Sequence, residues 1–392
     1  MRRPAAKPAS TSFCVRDVVE LTKALIACPS VTPHTAGVYE VIEEYLKPLG
    51  FKVMRHTFHE DGTDSVENLY LRYGTSAPNF CFAGHTDVVP VGDEAAWTTP
   101  PFHPEVKDGE LIGRGAEDMK GAIAAFMIGA ANFMKKNPNP KGSISLLITQ
   151  DEEGFAINGT KKMLKWLEEK GEKLDVCVVG EPTNPDVLGE MVKIGRRGSV
   201  SFTLTVRGKQ GHVAYPDRAD NPIPRMLNML QALENTPLDK GTEYFQPSNL
   251  EIVSIDVGNT TYNVIPANVS AKFNVRFNDT HSSQSVEDWV RKQCAAFGEF
   301  EIIKRVTGEA FHTEHKALTD VVVQAVEEIT GKTPVLSTTG GTSDARFIKD
   351  YCSVVEFGTT GRTAHMVDER VEVKTLEGLA KVYQRMLELY FA

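Results

Sequence analysis

Four short apolar runs, far apart in the sequence, each lead into side chains that can bind a metal ion. The runs are residues 79–84, 144–148, 175–180 and 352–358, and the side chains that follow them are His85, Glu152, Glu153, Glu181 and His365. A run of this kind is typical of a buried strand. In open α/β sheets, ligands bind outside the carboxyl ends of the strands. The pattern therefore predicts a sheet whose strand ends carry a metal centre.

A fifth candidate ligand is Asp118, which lies in a glycine-rich segment at 113–121, just before a helix predicted over 122–134. Imidazole nitrogens combined with carboxylate oxygens suit zinc, and less selectively cobalt or manganese. Taken alone, the acidic run 151–153 is equally consistent with a solvated turn. Its recurrence with other strand-end ligands favours the metal centre.

Strands alternate with helices through the first half of the chain, which is typical of a layered α/β domain. The predicted helices cover 15–25, 39–49, 122–134 and 158–170, and further strands are predicted at 51–58 and 65–73. A helix at 319–330 and the strand before His365 continue the same pattern. The first domain therefore resumes near the end of the chain.

Between these two parts the pattern changes to β-α-β-β-α-β. Residues 199–207 alternate apolar and polar side chains, as a half-exposed strand does. They are followed by a helix at 222–234, strands at 249–257 and 267–277, a helix at 285–297 and a strand at 299–306. This order matches a ferredoxin-like unit. We therefore predict a discontinuous catalytic domain at 15–197 and 311–392, an inserted ferredoxin-like α+β domain at 198–310, and a disordered tail at 1–14.

Net charge and cysteine spacing limit the kinds of molecule that the protein is expected to bind and the compartment in which it is expected to occur. The 392-residue chain has a net charge of −9, which argues against nucleic acid or an anionic membrane as a general partner. No apolar run approaches the roughly 18 residues that a membrane span needs. The six cysteines are scattered without paired spacing, which indicates a reduced, cytoplasmic protein.

Three motifs resemble those of a known family. GHTDVVP at 84–90, GRGAEDMKG at 113–121 and DEEG at 151–154 are similar to the motifs of the di-zinc aminoacylase and carboxypeptidase family of metallopeptidases, with matching order and spacing. The resemblance implies a di-zinc amidohydrolase whose layered α/β catalytic domain binds two Zn²⁺ per subunit, for which Co²⁺ or Mn²⁺ can substitute. It also implies that the inserted domain is a dimerisation (lid) domain in a homodimer.

The resemblance assigns roles to the candidate ligands. Asp118 is the implied bridge between the two ions. One ion is completed by His85 and Glu181, and the other by Glu153 and His365. The peptide bond between Asp118 and the next residue is expected to be cis.

Two further carboxylates receive catalytic roles. Glu152, which is next to a ligand but is not one itself, resembles the family's general base. Asp87 lies two residues after His85, and side chains two apart on a strand share a face. We therefore expect the Asp87 carboxylate to accept the second imidazole N–H of His85 and to fix its tautomer.

A second set of motifs indicates the substrate. GEPT at 180–183, GRRGS at 195–199, GHVAYP at 211–216, NVIPA at 263–267 and GGTSD at 340–344 are similar to those of family members that hydrolyse N-succinyl-diaminopimelate, a small anionic substrate. Its three carboxylates require arginine and N–H donors. The positions implied for substrate binding are Arg196, Ser199, Tyr215, Asn263, Arg276, Gly341 and Thr342. The turn at 340–343 precedes a short predicted helix, whose N-terminus would bind an anion.

His212 has no predicted ligand nearby and would by default be a surface loop residue. The resemblance instead implies that it enters the active site of the other subunit and binds the oxyanion of the tetrahedral intermediate. We expect the dimer to form through the inserted domain, whose half-exposed strand at 199–207 is suited to edge pairing.

Two alternatives stay open at this point. Another deacylase of the family, above all one that acts on N-acetylornithine, would share the metal motifs, and Tyr262 and Arg362 depart from the pattern of the enzymes that act on succinylated substrates. A metal-binding scaffold without activity would normally lack a ligand or the base. All six of these positions are present, namely His85, Asp118, Glu152, Glu153, Glu181 and His365.

Overall fold

The structure is a computed structural model that describes residues 17–313 and 316–392. The predicted tail at 1–14 lies outside the described residues, as do the first two residues of the helix predicted from residue 15. The predicted helices and strands are present among the described residues, with ends that differ by a few positions.

The helices are α1 Val18–Ile26, α2 Val38–Leu46, α3 Lys120–Lys136, α4 Thr160–Glu169, α5 Pro222–Glu234, α6 Ser283–Cys294, α7 Lys316–Thr330, α8 Ala345–Ile348 and α9 Val373–Tyr390. The strands are β1 Lys52–Phe58, β2 Val66–Tyr73, β3 Asn79–His85, β4 Glu105–Lys107, β5 Glu110–Ile112, β6 Ser143–Thr149, β7 Val176–Val179, β8 Met191–Lys193, β9 Gly195–Arg196, β10 Gly198–Arg207, β11 Gly211–His212, β12 Asn249–Asp256, β13 Val264–Ile265, β14 Asn268–Phe277, β15 Glu301–Gly308, β16 Phe311–His312, β17 Val335–Ser337, β18 Ser353–Glu356 and β19 Arg370–Glu372.

Several helices begin at a side-chain cap. The carboxylate of Asp17 accepts the backbone N–H of Val19 at 2.9 Å at the start of α1. At the start of α6, the Ser282 hydroxyl accepts the N–H of Ser285 at 3.1 Å, and the Ser285 hydroxyl accepts the N–H of Ser282 at 2.9 Å. Such reciprocal capping satisfies donors that the helix itself leaves unpaired.

The chain divides into two compact units. The first takes the described residues of Met1–Val192, Lys316–Val335 and Tyr351–Ala392, and the second takes those of Lys193–His315 and Leu336–Asp350. The first unit is thus discontinuous in sequence, and residues 336–350 group with the second unit rather than with the first. Contacts within the second unit explain this: Lys193 Nζ donates to Ser337 Oγ at 3.2 Å, and the Ile194 N–H donates to the Ser337 carbonyl at 3.0 Å.

Six strands that lie wholly in the first unit form a sheet in the order β1-β2-β6-β3-β7-β18. Strand β3 is parallel to both β6 and β7, and β7 is parallel to β18. The carboxyl ends of these four strands therefore meet at one edge of the sheet. This confirms the arrangement that the apolar runs predict.

Helices α3 and α9 pack against each other in the first unit. Gly129 allows this approach, because a Cβ at that position would lie 2.7 Å from the carbonyl oxygen of Ala380. Phe126 of α3 stacks on Phe82 with ring centroids 4.4 Å apart, and Tyr383 of α9 meets it edge-on at 5.6 Å. Helix α9 is not among the predicted elements, although its buried residues have helical spacing.

The second unit contains an antiparallel sheet in the order β12-β14-β10-β15. With α5 and α6 between the strands in sequence, this is the topology of a ferredoxin-like unit. Strand β10 lies inside the sheet, so the expectation that strand 199–207 is an edge strand is wrong. Its alternating pattern reflects the two faces of the sheet, and the edges are β12 and β15. Each edge exposes apolar side chains: Val253 is 68% exposed and Ile303 is 70% exposed.

Among the described residues, no helix is both long enough and apolar enough to cross a membrane. Cys81, Cys177 and Cys294 are buried free thiols, whereas Cys28 and Cys352 are partly buried. The strand cysteines thus pack as small apolar side chains.

Replacing Phe126 by alanine tests the core of the first unit. The change removes a fully buried ring and leaves a cavity, so the free energy of unfolding should fall by about 3–5 kcal/mol. Urea unfolding followed by circular dichroism measures this. Phe155 is 66% exposed, and Phe155→Ala is the matched control, expected to stay within about 0.5 kcal/mol of the wild type. Equal losses in the two variants would contradict the described packing.

Candidate metal centre

The predicted ligands of the first unit come together at the edge where the parallel strands end. His85 is the last residue of β3, the acidic loop 151–153 follows β6, and Glu181 follows β7. His365 lies in the loop that connects β18 to β19. Four distant segments of the sequence therefore contribute side chains to one place, as the strand-end pattern predicts.

The carboxylate of Asp118 lies between two imidazoles. Its Oδ1 is 3.2 Å from Nε2 of His85, and its Oδ2 is 3.3 Å from Nε2 of His365. Each oxygen thus faces a different histidine. This is the geometry that a carboxylate shared by two metal ions requires. The peptide bond that follows Asp118 is cis, as expected.

A further carboxylate accompanies each histidine. Oε1 of Glu181 is 3.8 Å from Nε2 of His85, and Oε1 of Glu153 is 2.8 Å from Nε2 of His365. The side chains therefore divide into two groups that share Asp118. The same division follows from the family resemblance, which places one ion in each group.

The electrostatics of the centre are dominated by its carboxylates. Burial alone would lower the pKa of His85, but the neighbouring carboxylates of Asp118 and Glu181 raise it well above its ordinary value. Hydrogen bonds to Asp118 and Glu153 raise the pKa of His365 to about 10. Burial by itself would raise the pKa of Asp118, yet the two histidines hold it well below its usual range. The carboxylates thus favour positive charge at both imidazoles.

These residues fit divalent cations. Imidazole nitrogen and carboxylate oxygen are the donors that zinc takes in hydrolytic sites. Oxygen atoms of Asp118 and Glu153 and a nitrogen of His85 lie within 4.8 Å of one another, so the two groups are close enough for two neighbouring cations that share Asp118. The excess of carboxylates over imidazoles leaves negative charge that a cation would neutralise.

Glu152 lies beside the centre, as a general base must. One of its oxygens and ligand atoms of His85 and Glu181 all lie within 4.8 Å of one another. The side chain is partly buried. From this position Glu152 can reach a water molecule at the metal, and it is also close enough to be an additional ligand.

Asp87 does not make the contact that was expected of it. Nδ1 of His85 donates to the backbone carbonyl of Asp87 at 2.9 Å, whereas the Asp87 carboxylate is 3.6 Å away. Strand β3 ends at His85, so the alternation of side chains that would align the two residues does not continue. The carboxylate instead accepts the N–H groups of Glu153 at 3.0 Å and Glu152 at 3.4 Å. Burial raises the pKa of Asp87 to about 6.

The residues implied for substrate binding lie in the second unit, where they form three groups. Arg196 is buried and donates to the Thr339 carbonyl at 3.4 Å, beside the turn that contains Gly341 and Thr342. Ser199 and Arg276 are direct partners across β10 and β14. The third group comprises His212, Tyr215 and Asn263.

Arg276 has the character of an anion-binding residue. Its guanidinium is half-buried, and burial together with the nearby charge of Arg197 lowers its pKa. The negative charge of a carboxylate bound at this position would offset both effects by favouring the charged guanidinium. The anion site predicted at the N-terminus of the helix after the turn at 340–343 is not supported. That helix, α8, contains only four residues.

His212 lies on β11, which pairs with β13. The Asn263 carbonyl accepts the N–H of Val213 at 3.2 Å, which brings Asn263 next to this strand. Nδ1 of His212 accepts the N–H of Ala214 at 3.0 Å. A neutral imidazole whose Nδ1 is an acceptor carries its proton on Nε2. His212 is exposed and therefore presents an N–H donor at its outer end.

Residues 81–389 match peptidase family M20/M25/M40. The chain belongs to this family. Its relatives include succinyl-diaminopimelate desuccinylase from Rhodospirillum centenum, which is 55% identical over 377 residues that cover 96% of this chain and 98% of the relative. The succinyl-diaminopimelate desuccinylase of Parvibaculum lavamentivorans is 50% identical over 397 residues, covering 100% and 99% of the two chains.

Solved structures with the M20 fold are similar over most of the chain. The M20 family metallo-carboxypeptidase Sso-CP2 from Sulfolobus solfataricus has a TM-score of 0.75 at 17% identity and covers 95% of this chain and 99% of its own. The YXEP protein of Bacillus subtilis, described as a dinuclear metal binding peptidase, has a TM-score of 0.70 at 15% identity and covers 95% and 97%. These likenesses establish the M20 fold.

Sequence reasoning missed several buried charged residues. Arg114 and Glu369 form an ion pair at 2.8 Å, with side chains that are 2% and 1% exposed. Glu117 is also buried. In the second unit, Lys193 donates to Thr339 Oγ1 at 2.6 Å. The only local signal for the first three was their position within or near the ligand motifs.

Zinc binding provides a direct test of the centre. Zn²⁺ added to metal-depleted protein should raise the Tm, because a ligand that binds only the folded state at about 100 times its Kd stabilises it by about 2.7 kcal/mol. Asp118→Asn removes the shared charge and should abolish most of this rise. Glu60→Gln, which alters an exposed carboxylate paired with Lys162, is the control and should respond like the wild type. Equal shifts in all three proteins would contradict the assignment.

Proposed function

We propose that this protein hydrolyses the amide bond of N-succinyl-LL-2,6-diaminopimelate to succinate and LL-2,6-diaminopimelate, in the cytoplasm, as a step of bacterial lysine and diaminopimelate biosynthesis. The observation that carries the chemistry is Asp118, whose two oxygens face His85 and His365 at 3.2 and 3.3 Å. The substrate follows from relatives named succinyl-diaminopimelate desuccinylase that are 50–55% identical over nearly the whole chain.

The proposed cofactor is two Zn²⁺ per subunit, with Co²⁺ or Mn²⁺ as substitutes. Asp118 would be shared by both ions, with His85 and Glu181 at one and Glu153 and His365 at the other. Ions bound in this way lower the pKa of a water molecule and polarise the amide carbonyl. The donor set and its division into two groups support this proposal.

Glu152 is the proposed general base. It removes a proton from the attacking water and later delivers a proton to the departing amine. Asp87 holds the backbone N–H groups of Glu152 and Glu153. Asp87 is therefore proposed to position both the base and a ligand, in place of the contact with His85 that was expected.

The substrate carboxylates are proposed to bind the second unit through Arg196, Arg276 and the donors around them. The perturbed pKa of Arg276 supports an anionic partner. Ser199, Tyr215, Asn263, Gly341 and Thr342 are the further contacts implied by the family motifs.

We propose a homodimer formed through the second unit, in which His212 serves the active site of the partner subunit. The exposed apolar side chains on β12 and β15 support edge pairing, since unpaired strand edges readily associate. The N–H at the outer end of His212 supports its role as a donor to the oxyanion.

The substrate is tested by measuring amine release from N-succinyl-diaminopimelate and from N-acetylornithine under the same conditions. A higher kcat/KM for the succinylated substrate is expected. A preference for N-acetylornithine would contradict the proposed substrate but not the chemistry. Zinc binding without hydrolysis of any acylated amino acid would favour a scaffold.

Glu152→Gln tests the general base. The variant should keep its zinc content, while turnover should fall at least about 10²–10⁴-fold, which is the typical contribution of general acid–base catalysis. Glu153→Gln is the matched control because the adjacent carboxylate is a proposed ligand, and it should lose zinc as well as activity. Near-normal turnover of the zinc-loaded Glu152→Gln variant would contradict the assignment.

His212→Ala tests the action of His212 in the partner subunit. The variant should stay folded and zinc-loaded, while turnover should fall about 10²–10³-fold, as when one oxyanion donor is removed. Mixed dimers with Glu152→Gln subunits should regain activity, because one of their two sites combines Glu152 with His212 from the neighbour. Mixed dimers that form but stay as inactive as their parents would exclude this role.

A further inference from the structure

Two buried carboxylates connect the Asp118 segment to the loop that carries His365. Glu117 immediately precedes Asp118, and Glu369 lies four residues after His365. Each carboxylate is 1% exposed. Neither belongs to the set of residues proposed above to bind a metal or to act on the substrate.

Glu369 holds the backbone around Asp118. Its Oε1 accepts the N–H groups of Glu117 and Asp118, both at 3.0 Å. Its Oε2 accepts the N–H of Gly115 at 2.9 Å and Nη1 of Arg114 at 2.8 Å. All four partners are donors from one short segment. The bridging residue therefore depends on a side chain of the His365 loop for its backbone position.

Glu117 makes the reverse connection. Its Oε2 accepts the Thr363 hydroxyl at 2.8 Å and also the Thr363 backbone N–H. Its Oε1 accepts the hydroxyl of Thr360, and its backbone carbonyl accepts the hydroxyl of Thr359 at 2.6 Å. Glu117 thus contacts the loop just before His365, whereas Glu369, which lies just after His365, contacts the segment that contains Asp118.

His365 lies in a loop and not at a strand end. Its side chain is 51% exposed, and its backbone adopts the left-handed conformation with φ of 65°. The loop is closed at its base, where the Thr363 hydroxyl accepts the Arg370 N–H at 3.0 Å. Together with Arg114, whose Nη1 donates to the Met366 carbonyl at 3.2 Å, the two buried carboxylates tie this closed loop to the Asp118 segment.

We propose that Glu117 and Glu369 are positioning residues that set the distance between the shared carboxylate of Asp118 and the imidazole of His365, and thereby control binding of the second cation. The inference rests on the proposed metal centre. His85 and Glu181 are placed by strand ends, so their cation depends less on these contacts. Residues that orient metal ligands typically contribute about 10–100-fold to metal affinity.

Glu117→Gln is the most direct test, because the amide NH₂ of the new glutamine would face donor groups of Thr363 or Thr360 and could not accept their hydrogen bonds. Calorimetric titration of the metal-depleted full chain with Zn²⁺ should give two binding steps in the wild type. In the variant, one of the two steps should lose about 10–100-fold in affinity, while the other step stays near the wild-type value. Added Zn²⁺ should restore much of the lost turnover.

Glu110→Gln is the matched control. Glu110 pairs with Arg370 at 2.9 Å in a partly exposed position at the base of the same loop, so its removal should leave both steps unchanged. If Glu117→Gln does not fold, Thr363→Val tests the same contact with Glu117 in place, and the same selective loss is expected.

Two results would overturn this inference without affecting the proposed metal centre. The first is that the variants bind both cations like the wild type. The second is that both affinities fall equally and the Tm falls with them, as a general loss of structure would cause. A wild-type protein that binds fewer than two cations would instead overturn the proposed metal centre, and this inference with it.

Discussion

The sharing of one carboxylate between two imidazoles is the interaction around which the first unit is organised. Asp118 faces His85 on one side and His365 on the other, and these three residues come from three distant segments of the sequence. Carboxylates gathered at this density repel one another unless cations lie between them. The fold must therefore hold these segments rigidly, and a divalent cation bound there would supply compensating charge.

The rigidity comes from two different sources. His85, Glu153 and Glu181 lie at or just after parallel strands, whose hydrogen bonds fix the positions of their ends. Asp118 and His365 lie in loops, and there buried carboxylates replace the sheet as the support. Asp87 acts in the same way on the acidic loop. The centre thus combines ligands placed by strands with ligands placed by buried polar contacts, and the second kind is the more sensitive to single substitutions.

The gathering of the proposed ligand side chains at one sheet edge could be predicted from sequence because apolar runs followed by polar residues are local signals. The actual partner of Asp87 could not, since it depends on the residue at which β3 ends. The interior position of β10 was missed because alternation reports the faces of a sheet and not its edges. The contacts of Glu117 and Glu369 join segments about 240 residues apart, to which no local pattern points. Helix α9, in contrast, does have a local signal, because its buried residues recur at helical spacing.

Anomalous diffraction at the zinc edge from crystals grown with Zn²⁺ measures directly whether the carboxylate of Asp118 bridges two cations. Two peaks roughly 3.5–4 Å apart, the separation typical of two-metal hydrolases, are expected on either side of Asp118, one beside His85 and the other beside His365. A single peak, or two peaks that do not share Asp118, would contradict the account.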